Sequence, residues 1–378
     1  MDELPPLFAT GQRLGRYELL RRLAVGGMAE VYLAAAAGPG DFRKVVAIKR
    51  LLPQHALDPQ LLRMFLDEAR LMARLSHPHV PQVTDVDDGG GGEVPCNPYF
   101  PYFVMEYVHG TDLRGVLNAA GGPLPLEQAL AITGAVAAGL HHAHEHRGTS
   151  GQAMDIVHRD VSPSNVLLSF DGGVKITDFG VAKWAEQKSH THHGQLKGKF
   201  AHMSPEQCRG EALDRRSDVF ALGTLLYEMT TGHPPFSADS EYDLLTQIVS
   251  RDAPAPRRPG EIYPAALETI VMKALRRDRN DRYASTQELQ LDLESFARER
   301  RLVVSPVALA GYLESLFGAQ VTEWREALAS GKSLVDHLGR LSGLTPGAPM
   351  TEDGAAAART TRTATDAFAR ARSPEAAA

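Results

Sequence analysis

Between residues 158 and 180 the chain reads His158-Arg159-Asp160-Val161-Ser162-Pro163-Ser164-Asn165, two short apolar runs, and then Asp178-Phe179-Gly180. This stretch constrains the fold more tightly than any other. The runs Val166–Ser169 and Val174–Ile176 read as strands, and paired as a hairpin they bring Asp160, Asn165 and Asp178 around one cleft. Three oxygen-bearing side chains there suit Mg2+, which takes carboxylate, carbonyl and water ligands and keeps nucleotide phosphates in its shell. A purely structural use of all three, in that order and spacing, is the poorer account.

Upstream, residues 23–32 read Leu-Ala-Val-Gly-Gly-Met-Ala-Glu-Val-Tyr between two strand-like segments. A glycine-bearing hairpin lets backbone amides approach phosphate, although an ordinary tight turn has the same look. Val46-Ala47-Ile48-Lys49 ends an otherwise apolar strand on a lysine, either an exposed cation or a phosphate clamp held by a carboxylate. Leu62, Phe65, Leu66, Ala69 and Met72 recur at the spacing of one buried helix face, and Glu68 on that helix is the available carboxylate. Surface ion pairs are common and weak, so this pairing alone does not decide between the two uses of Lys49.

Together these segments resemble the eukaryotic-like serine/threonine protein kinases of bacteria, over about residues 17–296. The resemblance implies an α+β, bilobal protein kinase fold, with a small β-rich lobe carrying one helix (17–108) and a larger helical lobe (109–296). It implies ATP and Mg2+ as cofactors, and transfer of the γ-phosphoryl group to serine or threonine hydroxyls of proteins, this chain included through self-association. Leu23, Ala24, Val25, Gly26, Gly27, Met28, Ala29, Val31 and Ala47 would line the nucleotide. Lys49 would contact its α and β phosphates and pair with Glu68. Met105-Glu106-Tyr107-Val108 is similar to the hinge, with Met105 as gatekeeper and the backbones of Glu106 and Val108 on adenine. Asp112 falls where a carboxylate meets the ribose. Asp160 would accept or orient the substrate hydroxyl proton, while Asn165 and Asp178 would hold Mg2+. Met203-Ser204-Pro205-Glu206 resembles the segment that closes the activation loop, its glutamate paired with Arg282. Asp218 would brace the catalytic loop through backbone hydrogen bonds.

The chain departs from the family pattern in three places. Ala24 and Ala29 replace the flanking glycines of the phosphate loop, which predicts a stiffer loop around Gly26. Ser162 stands where serine/threonine kinases carry a lysine, and Lys199 stands where they carry a threonine. The pair reads as a swap that keeps one ammonium and one hydroxyl near Asp160, against the alternative of a solvent-facing Lys199. Ser189 and Thr191, in the segment before Glu206, are candidate autophosphorylation sites for which Arg159 could supply the counter-charge. His142 and His146 have a spacing that can hold Zn2+, but with no HExxH pattern or cysteine partner they read as packing or solvated histidines. Loss of turnover with retention of the fold, and a small-molecule kinase, are the rival readings. The intact set Lys49, Glu68, Asp160, Asn165 and Asp178 argues against the first. The long activation segment argues against the second.

Composition narrows the setting. Forty Lys and Arg against 46 Asp and Glu give a formal charge of -6, so no basic excess points to nucleic acid. Cys96 and Cys208 cannot build a disulfide framework, and the N-terminus lacks the layout of a signal peptide. The most apolar stretch, about Ala129 to Leu140, is too short to cross a bilayer, and a cytoplasmic location is expected. Ser305 before Pro306 predicts the cap of a helix with Leu309, Leu313, Leu316 and Phe317 on one face, opening a helical extension over 302–345. Residues 346–378, rich in Ala, Thr and Arg, are expected to be disordered.

Overall fold

The computed structural model describes residues 11–40, 42–56, 58–88, 101–148, 150–179 and 200–341. Expectations resting on Ser189, Thr191 and Lys199, and on the stretch beyond Leu341, lie outside them.

The N-terminal part is a six-stranded antiparallel sheet. Its strands are β1 (Arg13–Leu14), β2 (Tyr17–Val25), β3 (Ala29–Ala37), β4 (Arg43–Leu51), β5 (Val83–Asp87) and β6 (Tyr102–Glu106), in the order β1-β2-β3-β4-β6-β5. Ala34–Ala37 would favour a helix by propensity. They extend because each pairs with a β4 residue, from Ala34 opposite Val46 to Ala37 opposite Arg43. Tyr32, Ala34, Val46 and Ile48 pack with Tyr17, Leu19 and Val104 on one face, and Leu33, Ala35 and Val45 face the other way. Between β4 and β5 run α1 (Pro53–Ala56) and α2 (Pro59–Arg74). Asp58 caps α2 by accepting from the amides of Gln60 and Leu61, and Pro59 occupies the first turn, where its missing N–H costs nothing. The buried face carries Phe65, Ala69 and Met72, and Glu68 goes in with them.

The larger lobe comprises β7 (Gly110–Asp112), α3 (Leu113–Ala120), α4 (Leu126–His144), β8 (Val166–Ser169), β9 (Val174–Ile176), α5 (Pro205–Cys208), α6 (Arg215–Thr231), α7 (Glu241–Ser250), α8 (Ala265–Ala274) and α9 (Thr286–Arg300). β8 and β9 pair as the sequence predicts, and β7 joins them as an unforeseen third strand. Three residues are too few to show a period. Gly110 is what allows the pairing, because a Cβ there would sit 1.8 Å from the Leu168 carbonyl oxygen. α6 is buried from Ser217 to Thr231 and so shows no polar face, as befits the central helix of a lobe. One apolar cluster crosses from Phe65, Met72 and Met105 in the small lobe to Leu113, Val166, Phe179 and Phe220 in the large one.

Beyond Arg301 the chain forms α10 (Pro306–Ala329), kinked at Phe317 (φ -123°, ψ 31°), and α11 (Leu334–Leu341). Ser305 caps α10 through the Ala308 amide as expected. Leu309 and Leu313 are buried, Leu316 and Phe317 partly so. Among the described residues no helix is long and apolar enough to cross a membrane.

The large lobe is fastened by a buried ion pair. Arg282 reaches both carboxylate oxygens of Glu206 at 2.7 and 2.8 Å, and Ser217 Oγ donates to the same carboxylate at 2.7 Å. The remaining guanidinium donors reach the carbonyls of Arg216, Arg276 and Arg277. Burial alone would raise the Glu206 carboxyl, but Arg282 holds it down at about 2. Its contribution to stability is therefore complete above the unfolded value of 4.5 and is lost as pH falls from there towards about 2. Arg282→Met is expected to cost about 3–5 kcal/mol at neutral pH by stranding a buried carboxylate. Urea midpoints measured across the acid range should then rise on acidification in the variant, where those of the parent fall.

Candidate active site

The segment running from His158 to Asn165 is held from beneath by α6. Asp214 caps this helix, which puts Asp218 in its first turn, where the backbone dipole favours a carboxylate. Asp218 is 1% exposed and accepts from the His158 amide at 2.8 Å, the Arg159 amide at 3.0 Å and His144 Nε2 at 2.7 Å. Burial would raise this carboxyl, but the hydrogen bond and charge of His144, then the charge of His158, hold it below the ordinary aspartate value. Arg159 has φ 67°, the left-handed region that a non-glycine residue adopts only under restraint. The restraint comes from both sides: Asp218 takes its N–H, and Gln207 Nε2 donates to its carbonyl at 2.7 Å. His158 Nε2 lies 3.0 Å from the Thr177 carbonyl, and its ring packs on Phe179 at 4.5 Å.

On this platform the structure joins Asp160 to Asn165, and Asp178 follows one residue after a backbone bond to Asn165. Asn165 ends the tight turn Pro163–Asn165, and its Nδ2 donates to the Asp160 carbonyl and to Asp160 Oδ2, both at 2.7 Å. That bonding turns its amide oxygen away from Asp160. The Thr177 amide donates to the Asn165 carbonyl at 2.9 Å, which links the turn to the residue before Asp178. Ser162 is buried and opens the turn. Lys199, expected beside it, lies outside the described residues.

Lys49 does not end its strand as the sequence suggested, since β4 runs on through Arg50 and Leu51, and its side chain points inward, only 13% exposed. Its Nζ donates to Glu68 Oε1 at 2.6 Å and to Asp178 Oδ1 at 2.7 Å. Burial works to lower its pKa, but Asp178 and then Glu68 more than compensate, so the ammonium sits above the ordinary lysine value and is charged throughout the physiological range. Asp178 is reached through another positive φ, 59°. Three elements that the chain order separates, β4, α2 and the turn after β9, thus meet at one cation.

Ala47 and Met105 belong to the apolar cluster shared by the lobes, and Val31 packs against it. The β2–β3 turn closes through the Gly26 amide on the Ala29 carbonyl at 2.8 Å. It is also tied to α1: the Leu52 amide donates to the Met28 carbonyl at 2.9 Å, and His55 Nε2 lies 2.9 Å from the Gly27 carbonyl. Leu23 and Val25 on β2 are exposed. Glu106 donates its amide to the Gln82 carbonyl and pairs its side chain with Lys175 at 3.0 Å, and Val108 follows in the connection to β7. Asp112 also caps α3, accepting from the Gly115 amide at 2.7 Å, a use its place before a helix advertises and the sequence reading missed. Gln207 was missed too. The pattern Ser204-Pro205-Glu206-Gln207 announces the capping box it forms, but nothing local announces its reach to Arg159. His142 stacks on His77 at 4.9 Å, and no group of three residues able to hold a metal occurs among the described residues.

A β-sheet lobe over a helical lobe, with a Lys–Glu pair tied to Asp178 and a braced Asp–Asn pair in the large lobe, is the architecture of a protein kinase. Residues 17–293 match the family model described as protein kinase domain, and the chain belongs to that family. Its members use ATP and a divalent metal, generally Mg2+. The chain is 39% identical over 312 residues to the tyrosine-protein kinase MasK of Myxococcus xanthus, covering 82% of this chain and 47% of that one. It is 38% identical over 281 residues to the serine/threonine-protein kinase PknB of Mycobacterium leprae, covering 74% and 42%. The chain therefore spans less than half the length of these curated relatives. Among solved structures it resembles the kinase domain of Mycobacterium tuberculosis PknI, with a TM-score of 0.54 at 28% identity, over 76% of this chain and 99% of that one.

Asp218→Asn tests the brace directly. The variant keeps the shape but loses the charge and one acceptor, so buried amides are left unsatisfied, at a cost of about 3–5 kcal/mol. Hydrogen exchange at the His158 and Arg159 amides should accelerate by roughly tenfold or more over the parent. Unchanged exchange there would show that the loop holds itself.

Proposed function

We propose that the chain is a serine/threonine protein kinase, transferring the γ-phosphoryl group of Mg·ATP to protein hydroxyls, including those of a second copy of itself. The observation that carries this reading is Lys49, mostly buried and charged between Glu68 and Asp178, together with the bonded Asp160–Asn165 pair. Phosphoryl transfer asks for positioning and charge neutralisation, not for an enzyme nucleophile. In this reading Ala47, Val31 and Met105 enclose the adenine and the backbones of Glu106 and Val108 hydrogen-bond its edge, while Asp112 approaches the ribose. The amides of the β2–β3 turn and the Lys49 ammonium hold the phosphates. The Asp178 carboxylate and the Asn165 amide oxygen are hard oxygen donors suited to Mg2+, which would neutralise charge on the phosphates. Asp160 is the acceptor for the attacking hydroxyl's proton. The hydroxyl oxygen forms its bond to γ-phosphorus as the bond to the β,γ-bridging oxygen breaks, and ADP leaves with the electron pair.

Ser162 removes a positive charge from this region, and Lys199 is our candidate to restore it; Ser189 or Thr191 is the candidate autophosphorylation site. ATP dependence fits a cytoplasmic setting. The similarity to the tyrosine-protein kinase MasK of Myxococcus xanthus favours a second acceptor, the tyrosine hydroxyl, which the test must include.

The parent protein, with labelled ATP and Mg2+ and with serine, threonine and tyrosine peptides, is expected to label itself and the serine or threonine peptides. Asp178→Asn and chelation of Mg2+ should each reduce transfer by about two orders of magnitude or more. Labelling confined to tyrosine overturns the acceptor assignment. Nucleotide binding without any transfer by the parent overturns the enzyme reading altogether. Within this scheme Lys199→Ala should lower kcat at least about tenfold, and full activity would dispose of the swap with Ser162.

A further inference from the structure

The segment after Arg301 is placed where it can act on the nucleotide without touching it. On β3 and β4, residues Val31 and Lys49, Leu33 and Ala47, and Ala35 and Val45 stand opposite one another. Side chains two apart on a strand share a face. The face that carries Val31, Ala47 and Lys49 over the cleft therefore continues, two residues along, into Leu33, Ala35 and Val45. There it meets α11. Val335 and Leu338, each 3% exposed, pack with Leu20, Leu33, Ala35 and Val45, and Tyr107 packs against the same cluster. Tyr107 lies between Glu106 and Val108, the two residues proposed to hold adenine.

The other end of the segment is anchored on the large lobe. α10 packs on α3 and α4. It starts against the β8–β9 turn, where Gly172, at φ 89°, leaves room for the Pro306 carbonyl that a Cβ would approach to 1.9 Å. At its kink Phe317 meets Phe170 at 6.0 Å. Between the two anchors Trp324 sets its ring edge-on to His109 at 5.4 Å, immediately after the hinge, and His337 of α11 itself does so at 6.4 Å. A single run of chain thus grips the roof of the cleft, the hinge and the large lobe.

We infer that α10 and α11 form a positioning strap for the nucleotide, fixing the angle between the sheet and the hinge, so that affinity for ATP depends on Val335 and Leu338. The inference rests on the kinase reading above. The lobes of a two-lobed fold move relative to one another unless their contact is large and apolar. For a ligand that needs both lobes, the apparent dissociation constant is the intrinsic one divided by the fraction of molecules holding the competent angle. Loosening α11 lowers that fraction and leaves the chemistry of the bound state alone. Nucleotide affinity should fall while kcat holds.

The test uses the full chain. Val335→Ala with Leu338→Ala is compared with the conservative Leu338→Met and with Arg340→Ala, an exposed position on the same helix. KM for ATP and kcat are read from phosphoryl transfer, and Kd for ADP from calorimetry. The double variant is expected to raise KM and Kd about fivefold or more, with kcat within about twofold, while the two comparison variants match the parent. A lower melting temperature with KM and Kd unchanged overturns the strap and leaves a merely structural extension. An equal fall in kcat alone overturns it too. Should the double variant melt below the assay temperature, Leu338→Val is measured in its place against the same criteria. If the parent transfers no phosphate, the kinase reading fails while the ADP titration still decides whether α11 governs nucleotide affinity.

Discussion

One carboxylate, Asp218, sets the backbone on which the candidate site stands. It rises from the first turn of a helix with no solvent face, and it spends its oxygens on two consecutive amides and one imidazole. Those amides belong to the residues immediately before Asp160. Their left-handed turn at Arg159 is costly for a side-chain-bearing residue, and the surrounding bonds over-determine it. Because the helix also lies at the centre of the large lobe, any slackening of the core reaches the catalytic loop directly. The site is as rigid as the lobe beneath it.

The second constraint spans the lobes and is electrostatic. A lysine removed from water needs counter-charges, and Lys49 has two, from elements otherwise distant in the fold. Glu68 brings α2 against the sheet, and Asp178 brings the turn after β9 up from the large lobe. The two bonds thus tie the sheet, α2 and the turn after β9 to one ammonium. Desolvation thereby makes the ion pair a reporter of lobe geometry as well as a part of it.

Much of this was readable before any coordinates. The two strands 166–169 and 174–176, the buried face of α2, the Ser305 cap and the pairing of Glu206 with Arg282 all rest on short-range chemistry or on a many-motif resemblance. The failures share a cause as well. β7 is too short to carry a period and is recruited by the open edge of β8. Gln207 looks like a helix cap and is one, but its second bond, to Arg159, spans 48 residues. Propensity and periodicity are local quantities, and each of these outcomes was decided by a partner elsewhere in the chain.

The cover that α11 lays over the sheet has a bearing on how the polypeptide can be divided. The family match ends at Glu294's neighbour, residue 293, well before that helix begins. Cutting at the match boundary would uncover Leu20, Leu33, Val45 and the Tyr107 ring together, a contiguous oily surface beside a strand-rich lobe. Such a fragment would carry every motif by which the domain is recognised, and it would be inclined to clump with its own copies. Where the recognisable domain stops and where the self-sufficient one stops are different places in this chain.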